Sequence, residues 1–426
     1  MKFLYKNSAL LEETTITETS SALNEYINHL NDVAQKNNYE DAEASINLPF
    51  DDELLKKVTN LKEKKVTKNL KYIFLIGIGG SNLGTKAIYD SIFGYYDSLE
   101  KERYPKIIFL DTQDGVVLSK TKNLINSLSS KEEILVNAIS KSGGTTETTA
   151  NFEVIYEVLQ NKFGEIDDRV VITTVEGSKM QMAAQAKQIE VLNIPQKVGG
   201  RYSVFSAVGL FPLMAAGFDV FKLRQGAQKM RDVCLQKTPE DNPAVISAAI
   251  IYLHYKAGKN INDNFIFLPS LESLGKWYRQ LQGESVGKDN KGITPTVSIG
   301  STDLHSVGQL YLGGPKDKIT TFIYGENLQD QISVPQNTAF NLVDVISGKS
   351  IQKIMSAIVG GVTKAYQSQR LPFTEIVFDG VSEESLGEFM QFKMIEIMCL
   401  GKLMGVNAFD QPQVELYKTE TKKILS

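Results

Sequence analysis

The stretch Tyr72–Gly84, YIFLIGIGGSNLG, joins five apolar residues to a run of glycines and small polar residues. The apolar residues predict a buried strand, and the glycine run predicts a turn into a helix. Glycines at such a junction let backbone N–H groups approach an anion, and the helix N-terminus adds partial positive charge. The dinucleotide pattern G-x-G-x-x-G fails because Asn82 occupies the position of the last glycine. We therefore expect a site for a phosphorylated small molecule, with a dinucleotide site and a structural turn as alternatives.

Similar short apolar runs recur along the chain and are separated by helix-like stretches. In the first half they are Lys106–Leu110, Ile134–Ile139, Val170–Val175 and Gln188–Ile194, and in the second half Phe265–Leu268, Thr296–Ile299, Ile319–Tyr324 and Glu375–Phe378. Long helices are predicted from Phe340 to about Gln367 and from Glu383 to about Met404, and the first 45 residues or so are expected to be helical and peripheral. Continuous apolar strands that alternate with helices indicate parallel sheets covered on both faces.

A chain of 426 residues is too long for one ordinary core, so two α/β domains are expected. We place the N-terminal helices and the first domain at residues 1–215, and the second domain with a C-terminal helical tail at 216–426. The joint is expected near residues 215–245, where Pro239 and Pro243 bracket a polar stretch.

Composition excludes several classes of protein. The net charge of −4 and the pI of about 5.7 argue against nucleic acid as a partner. Cys234 and Cys399 form no C-x-x-C pair, and the N-terminus lacks the apolar core of a signal peptide, so a cytoplasmic protein is expected. The run Tyr202–Val220 is nearly uncharged but contains Pro212, which favours a buried helix over a membrane span.

Two further segments carry groups suited to anion binding. Ser140–Glu147, SKSGGTTE, follows a predicted strand and supplies four hydroxyls, two glycines and Lys141. Such donors match the oxygens of a phosphate, and ligands of parallel sheets bind outside the carboxyl ends of the strands. Gly199–Ser203, GGRYS, places Arg201 next to a backbone that a ligand can approach closely. The alternatives are a Ser/Thr-capped helix start and a structural ion pair.

The segment Gly283–Gly287, GESVG, has two interpretations. As G-x-S-x-G it matches a hydrolase elbow with Ser285 as nucleophile, but an elbow requires a strand before the serine. The preceding apolar residues have helical spacing, namely Leu271, Leu274, Tyr278 and Leu281. We therefore favour Glu284 as the reactive group, in a position where small neighbours leave room for a substrate.

Histidines are few, namely His29, His254 and His305. There is no H-E-x-x-H motif and no His/Cys cluster, so we expect no metal. His305 follows a predicted strand at a ligand-facing position, where structural and catalytic roles are equally compatible with the sequence. The other two lie in helix-like stretches and are expected to be structural. Lys418, in the segment FDQPQVELYK, would by itself be one more surface lysine.

Together these segments resemble the glucose-6-phosphate isomerase family, and the length resembles its compact bacterial branch. The motifs GIGGSNLG, SKSGGTTE, GGRYS, QGESVGK, the lone His305 and FDQPQVELYK occur in family order, and the resemblance runs from about residue 45 to 420. It implies an α/β fold of two sugar-isomerase (SIS) domains, each a parallel β-sheet flanked by helices in three αβα layers. It also implies a homodimer in which His305 enters the partner subunit's site.

The resemblance assigns roles to individual residues. Glu284 corresponds to the proton-transferring glutamate, Arg201 to the arginine that stabilises the enediolate, His305 to the ring-opening histidine and Lys418 to the lysine of the C-terminal motif. The substrate contacts correspond to Gly80, Ser81, Ser140, Lys141, Ser142, Thr145, Gly200, Gln280 and Gln411. No metal or other cofactor is implied. The sequence departs from the family pattern at three places. Asn82 stands where many members have Asp, and Gly143 and Gly144 stand where the larger members have a bulkier loop. Gln413 and Tyr417 stand at positions that are often Gly.

The implied reaction is the reversible conversion of glucose 6-phosphate to fructose 6-phosphate, a step of glycolysis and gluconeogenesis, through ring opening and a cis-enediolate. Three alternatives stay open at this point. They are a related isomerase that also accepts mannose 6-phosphate, a sugar-phosphate-binding regulator without turnover, and a hydrolase that uses Ser285.

Overall fold

The computed structural model describes residues 1–238, 241–326, 328 and 332–426, and for Tyr95 the backbone alone. These residues group into two compact units. The first unit comprises Asn28–Lys229 and Phe409–Ser426, and the second comprises Met1–Ile27 and Met230–Ala408. Each unit contains one five-stranded sheet, which confirms the α/β prediction. Pro239, expected at the joint, lies outside the described residues.

The strands are β1 (Lys2–Leu4), β2 (Tyr72–Ile76), β3 (Lys106–Leu110), β4 (Ile134–Ile139), β5 (Val170–Thr174), β6 (Glu190–Asn193), β7 (Ile261–Ile266), β8 (Thr294–Ile299), β9 (Lys318–Gly325) and β10 (Phe373–Phe378). The α-helices are α1 (Glu13–Ser21), α2 (Asn24–Lys36), α3 (Asp52–Lys65), α4 (Leu83–Ile92), α5 (Gly115–Ser127), α6 (Thr146–Phe163), α7 (Lys179–Ala186), α8 (Ala207–Ala215), α9 (Val220–Cys234), α10 (Pro243–Lys256), α11 (Glu272–Val286), α12 (Gly308–Gly313), α13 (Ile351–Ser368), α14 (Glu383–Met404) and α15 (Val414–Leu425).

The sheet of the first unit has the order β3-β2-β4-β5-β6, and each neighbouring pair is parallel. All residues of β4 and β5 are buried, as expected for strands covered on both faces. Several of its helices, α3 and α7 among them, begin at residues whose side chains cap the helix. The Asp51 carboxylate accepts a hydrogen bond from the Leu54 N–H at α3, and Ser178 accepts one from Gln181 N–H at α7. Each such cap stabilises a helix by about 1 kcal/mol.

The long apolar run contains α8, all of whose residues are buried, so the predicted buried helix is confirmed. Within the described part of the chain, no helix is long and apolar enough to cross a membrane. Cys234 and Cys399 are buried free thiols.

The sheet of the second unit has the order β1-β10-β9-β7-β8. Strands β7 to β10 pair in parallel, whereas β1 pairs antiparallel with β10. An aromatic cluster fills one face of this sheet, with Phe322 in ring contact with Phe265, Phe373 and Tyr366. The N-terminal residues therefore belong to the second unit through β1, and residues 409–426 belong to the first. This grouping differs from the division at residue 215 expected from the sequence.

Two segment predictions were wrong by four residues or more at one end, whereas the other predicted strands differ from the observed ones by at most two residues at either end. The strand expected at Phe265–Leu268 is β7, which ends at Ile266 and begins with polar residues that are buried, including Asn262 and Asp263. Hydrogen bonds to neighbouring side chains allow these polar groups to be buried. The helix expected from Phe340 begins only at α13, where the Ser350 hydroxyl accepts from Lys353 N–H. The apolar residues before it cannot mark a buried face, because Phe340 is 84% exposed.

Candidate active site

The two hydroxyl- and glycine-rich loops follow neighbouring strands of the first unit. β2 and β4 pair in parallel with Ile76 opposite Ala138, so both loops begin at the same edge of the sheet. A Cβ on Gly77 would lie 2.9 Å from the Ser81 Cβ and 3.0 Å from the Ile139 carbonyl oxygen. Only glycine at position 77 lets the two loops lie this close to each other. The location is the one predicted from the sequence, at the carboxyl ends of parallel strands.

The Ser140–Thr145 loop forms a compact group of hydroxyls. Ser140 Oγ lies 3.1 Å from Thr145 Oγ1, and Ser142 Oγ lies 3.3 Å from the same atom. The Gly143 N–H donates to Ser140 Oγ over 3.1 Å. Thr145 is the N-cap residue of α6, but its side chain makes no capping hydrogen bond. The capping alternative therefore does not account for this hydroxyl, which lies instead with the other donors that suit an oxyanion.

The glycine loop and the GGRYS turn touch through their backbones. A Cβ on Gly80 would lie 2.1 Å from the Gly200 carbonyl carbon and 2.5 Å from the Arg201 nitrogen. No side chain fits in that space. The contact places the backbone of Arg201 directly against the loop that contains Ser81. Asn82, next to it, is 1% exposed, and its amide has no hydrogen-bond partner among the described residues.

Arg201 is held by the C-terminal motif. Its guanidinium donates from Nη1 to Gln411 Oε1 and from Nη2 to the Asp410 carbonyl oxygen at 3.1 Å, and only 1% of Arg201 is exposed. The ring of Tyr202 packs against Phe409 with centroids 5.6 Å apart. The FDQ part of the motif therefore fixes the direction of a buried cation. The sequence placed Gln411 among the substrate contacts, and the structure also makes it a partner of Arg201.

Two positive charges lie in this part of the first unit. Burial lowers the pKa of Lys141, and the nearby positive charge of Arg201 lowers it further. Both effects favour an anion at this place, because a negative ligand would relieve the repulsion and stabilise the ammonium form. The hydroxyl loop, Lys141 and Arg201 therefore supply hydroxyl donors and positive charges, which are the groups that suit an anionic ligand.

Glu284 and Gln280 lie on α11 of the second unit. The Gln280 amide donates from Nε2 to Glu284 Oε1 over 3.0 Å, and both residues are half-buried. Ser285 also lies inside α11 and is fully buried. The predicted helical context is confirmed, and Ser285 does not have the strand-to-helix turn that an elbow requires.

His305 and Lys418 have surface positions. His305 ends a 3-10 turn, Thr302–His305, just after β8, and its ring is exposed. Lys418 lies on α15 and donates to Glu415 Oε1 over 2.7 Å, a contact that lowers the pKa of Glu415. The structure thus gives Lys418 a partner outside the predicted site residues.

The other two histidines have structural partners, as predicted. His254 Nε2 lies 2.8 Å from the Ala9 carbonyl oxygen, and His29 lies 3.4 Å from a Glu43 carboxylate oxygen.

Sequence reasoning missed a buried polar network behind α11. Lys393 and Glu396 form an ion pair inside α14, where they are 1% and 0% exposed at their side chains. The sequence offered only a lysine and a glutamate three residues apart within the mostly apolar stretch Met390–Leu400, and such a pair on a helix by itself suggests a surface ion pair.

Each unit is an α/β unit built on one five-stranded sheet, and the first unit has hydroxyl- and glycine-rich loops at the carboxyl ends of its parallel strands. The chain is similar to a crystal structure of a hypothetical protein from Thermus thermophilus, with a TM-score of 0.87 and 28% identity over 100% of this chain and 99% of that one. It shares its fold with a glucose-6-phosphate isomerase from Chlamydia trachomatis, with a TM-score of 0.82 and 21% identity over 99% and 88%.

The family follows from the sequence comparisons. The family model for phosphoglucose isomerase matches residues 52–426. The chain is also 34% identical to the glucose-6-phosphate isomerase of Methanocaldococcus jannaschii over 86% of each chain. The chain belongs to the phosphoglucose isomerase family, whose members are aldose–ketose isomerases.

Proposed function

We propose that this protein interconverts glucose 6-phosphate and fructose 6-phosphate, a step of glycolysis and gluconeogenesis. Family membership supports the reaction class, and the names of the relatives support this substrate pair. The observation that carries the proposal is the buried Arg201 guanidinium, oriented by Gln411 and Asp410 and in backbone contact with the glycine loop. A fixed cation beside an anion-binding loop suits a reaction that develops negative charge on a phosphorylated substrate.

In this proposal the phosphate of the sugar binds to the hydroxyl loop. Ser140 and Ser142 present oxygens within 3.3 Å of the Thr145 hydroxyl, and Lys141 adds a cation whose pKa is lowered by burial and by Arg201. The phosphate itself takes no part in the chemistry. Its binding energy holds the sugar in register for proton transfer.

Glu284 is the proposed base. It removes the proton from C2 of the aldose and returns it to C1 of the resulting cis-enediolate, which yields the ketose, and the reverse reaction uses the same carboxylate. The hydrogen bond from Gln280 restricts the carboxylate to one orientation. General base catalysis of this kind contributes about 10²–10⁴-fold in rate.

Arg201 is proposed to stabilise the enediolate oxygen, since its charge is buried and its direction is fixed by two acceptors. Ring opening needs an acid for the ring oxygen and a base for the anomeric hydroxyl. His305 is proposed for this step because an imidazole can both donate and accept a proton, and Lys418 is proposed to assist.

A homodimer is proposed as the working form, with His305 contributed to the partner subunit's site. Exposed large apolar side chains support an interface on the second unit, namely Ile332, Phe340, Leu342 and Val345, with exposures of 71%, 84%, 85% and 78%. Monomeric proteins rarely expose large contiguous apolar patches, and these four side chains lie within fourteen residues of one another in the chain. Light scattering at micromolar concentration tests the assembly, and a monomer that is fully active would contradict it.

The function is tested by incubating the purified protein with fructose 6-phosphate in EDTA and measuring glucose 6-phosphate with a coupled dehydrogenase. Conversion is the expected result, and mannose 6-phosphate in a parallel assay reports whether the site also accepts the C2 epimer. A folded protein that binds these sugar phosphates without converting them would contradict the proposal and favour a regulator without turnover.

A further inference from the structure

The Lys393–Glu396 ion pair is the centre of a buried network in the second unit. Lys393 Nζ lies 2.8 Å from Glu396 Oε2. The same oxygen accepts from Ser247 Oγ of α10 over 2.5 Å, and Glu396 Oε1 accepts from Tyr278 Oη of α11 over 2.7 Å. One carboxylate thus joins three helices, α10, α11 and α14.

The network continues from Tyr278 along α11 into the sheet. The Asn262 amide on β7 donates to Tyr278 Oη over 3.3 Å and to Gln282 Oε1 over 2.7 Å. Gln282 in turn donates to the Ile293 carbonyl oxygen over 3.0 Å. The Lys393 ammonium also lies 4.6 Å from the centre of the Tyr278 ring. Two residues of α11, one helical turn apart, are therefore attached to α14 and to β7.

The anchored face of α11 is opposite the face that carries the proposed base. Tyr278 and Gln282 precede Gln280 and Glu284 by two residues each, which corresponds to about 200° around the helix. Tyr278 and Gln282 are fully buried, whereas Gln280 and Glu284 are half-buried. A rotation of α11 that broke the buried bonds would therefore turn the Glu284 carboxylate by the same angle.

A buried ion pair is seldom the most stabilising choice for a protein core. Charges removed from water lose hydration, and well-packed apolar residues of similar volume are often at least as stabilising. Directional hydrogen bonds, in contrast, favour one particular arrangement of the helices that they join. Here the Glu396 carboxylate accepts from α10, α11 and α14, so a rotation or an axial shift of α11 alone would break its hydrogen bond from Tyr278.

We propose that the network of Lys393, Glu396, Tyr278, Asn262 and Gln282 positions Glu284 for proton transfer by fixing the rotation of α11. These are positioning residues, because they are proposed to act through Glu284 and not by contact with the substrate. The inference rests on the proposed role of Glu284 as the base. It extends that role, because buried side chains on the opposite side of α11 would determine the position of the Glu284 carboxylate.

Two variants separate positioning from stability. Tyr278→Phe and Ser247→Ala each remove one hydroxyl donor from Glu396, but only Tyr278 belongs to α11. We expect the two variants to lose similar amounts of thermal stability. We expect Tyr278→Phe alone to lower kcat, by about tenfold, with KM within about twofold of the wild type, because a small displacement of a reacting group is enough to slow the chemical step. The fraction of solvent deuterium found at C2 of glucose 6-phosphate should also change in Tyr278→Phe only.

Equal kcat values for the two variants, per folded molecule, would overturn the inference, and so would a Tyr278→Phe effect on KM alone. If Tyr278→Phe does not fold, Gln282→Met replaces it in the same comparison with Ser247→Ala. Glu284→Gln, measured in parallel, distinguishes a failure of the proposed base from a failure of the proposed positioning network. Full activity in Glu284→Gln contradicts the proposed base, whereas an inactive Glu284→Gln with equal kcat in the other two variants contradicts the positioning network alone.

Discussion

Arg201 shows what the individual residue contributes to the proposed site. Its guanidinium is buried and is held by Gln411 and the Asp410 carbonyl oxygen, so its charge has a fixed direction before any substrate arrives. The sequence indicated an arginine beside glycines but could not supply the partners, which lie about 210 residues further along the chain. Contacts of such long range depend on the tertiary fold and leave no local signal.

Replacement of the proposed base is the sharpest prediction for a single residue. Glu284→Gln keeps the size of the side chain but removes the carboxylate, so we expect kcat to fall by about 10²–10⁴-fold with little change in KM. Steady-state kinetics in both directions would measure this. Glu272→Gln on the first turn of the same helix is the matched control, because its carboxylate pairs with Lys276 at the surface. Activity near that of the wild type in Glu284→Gln would remove Glu284 from the mechanism.

The hydroxyl loop gives a different kinetic prediction. Ser140→Ala removes one donor from the proposed phosphate site, so we expect KM to rise about tenfold or more while kcat changes less. Ser127→Ala at the exposed end of α5 serves as the control, since its hydroxyl bonds only within its own helix turn in the described contacts. A large loss of kcat at unchanged KM would contradict the assignment of this loop to phosphate binding.

The elements differ in how well the sequence predicted them. α14 was predicted with its limits correct, because apolar residues recur along its whole length and the helix ends at Gly405, which has a left-handed backbone with φ of 64°. The first part of β7 was missed because Asn262 and Asp263 are polar residues that rarely occur in strands. Their burial depends on partners from other elements, namely Gln282 and Thr296, which no local pattern can reveal.

A buried histidine on α10, in contact with the segment between β1 and α1, gives a prediction at the scale of the element. The His254 ring bonds to the Ala9 carbonyl oxygen, and burial lowers its pKa from 6.5 to about 4. The unfolded chain therefore takes up a proton near pH 6.5 while the folded chain does not, so stability is lost as the pH falls from 6.5 towards 4. The full shift of the His254 pKa corresponds to about 3 kcal/mol in the free energy of unfolding.

Melting temperatures measured between about pH 7 and pH 4.5 test this for the wild type and for His254→Gln. Glutamine retains an amide donor for the Ala9 carbonyl but does not titrate. We expect the melting temperature of the wild type to fall further than that of the variant over this pH range. Parallel curves for the two proteins would show that His254 does not contribute to the acid sensitivity.

At the scale of the whole molecule, the strand pattern was enough to predict two α/β units with parallel sheets. The glycine and hydroxyl loops were enough to predict that both loops lie at the carboxyl ends of neighbouring strands. The grouping of the chain termini was not predictable in the same way. β1 joins the second sheet through backbone pairing with β10, and a strand of three residues is too short to carry a pattern that reveals such a pairing. Residues 409–426 join the first unit, where Gln411 and Phe409 contact the GGRYS turn.

The most direct test of the central claim is the conversion of fructose 6-phosphate to glucose 6-phosphate in D₂O with EDTA, followed by NMR of the C2 position of the product. A single carboxylate that carries the proton between adjacent carbons should convert the substrate rapidly and introduce deuterium at C2 in only part of the product, because the base exchanges its proton with solvent in some turnovers. A folded protein that gives no conversion, or that gives product without any deuterium at C2, would contradict an enediolate mechanism with an exchanging base.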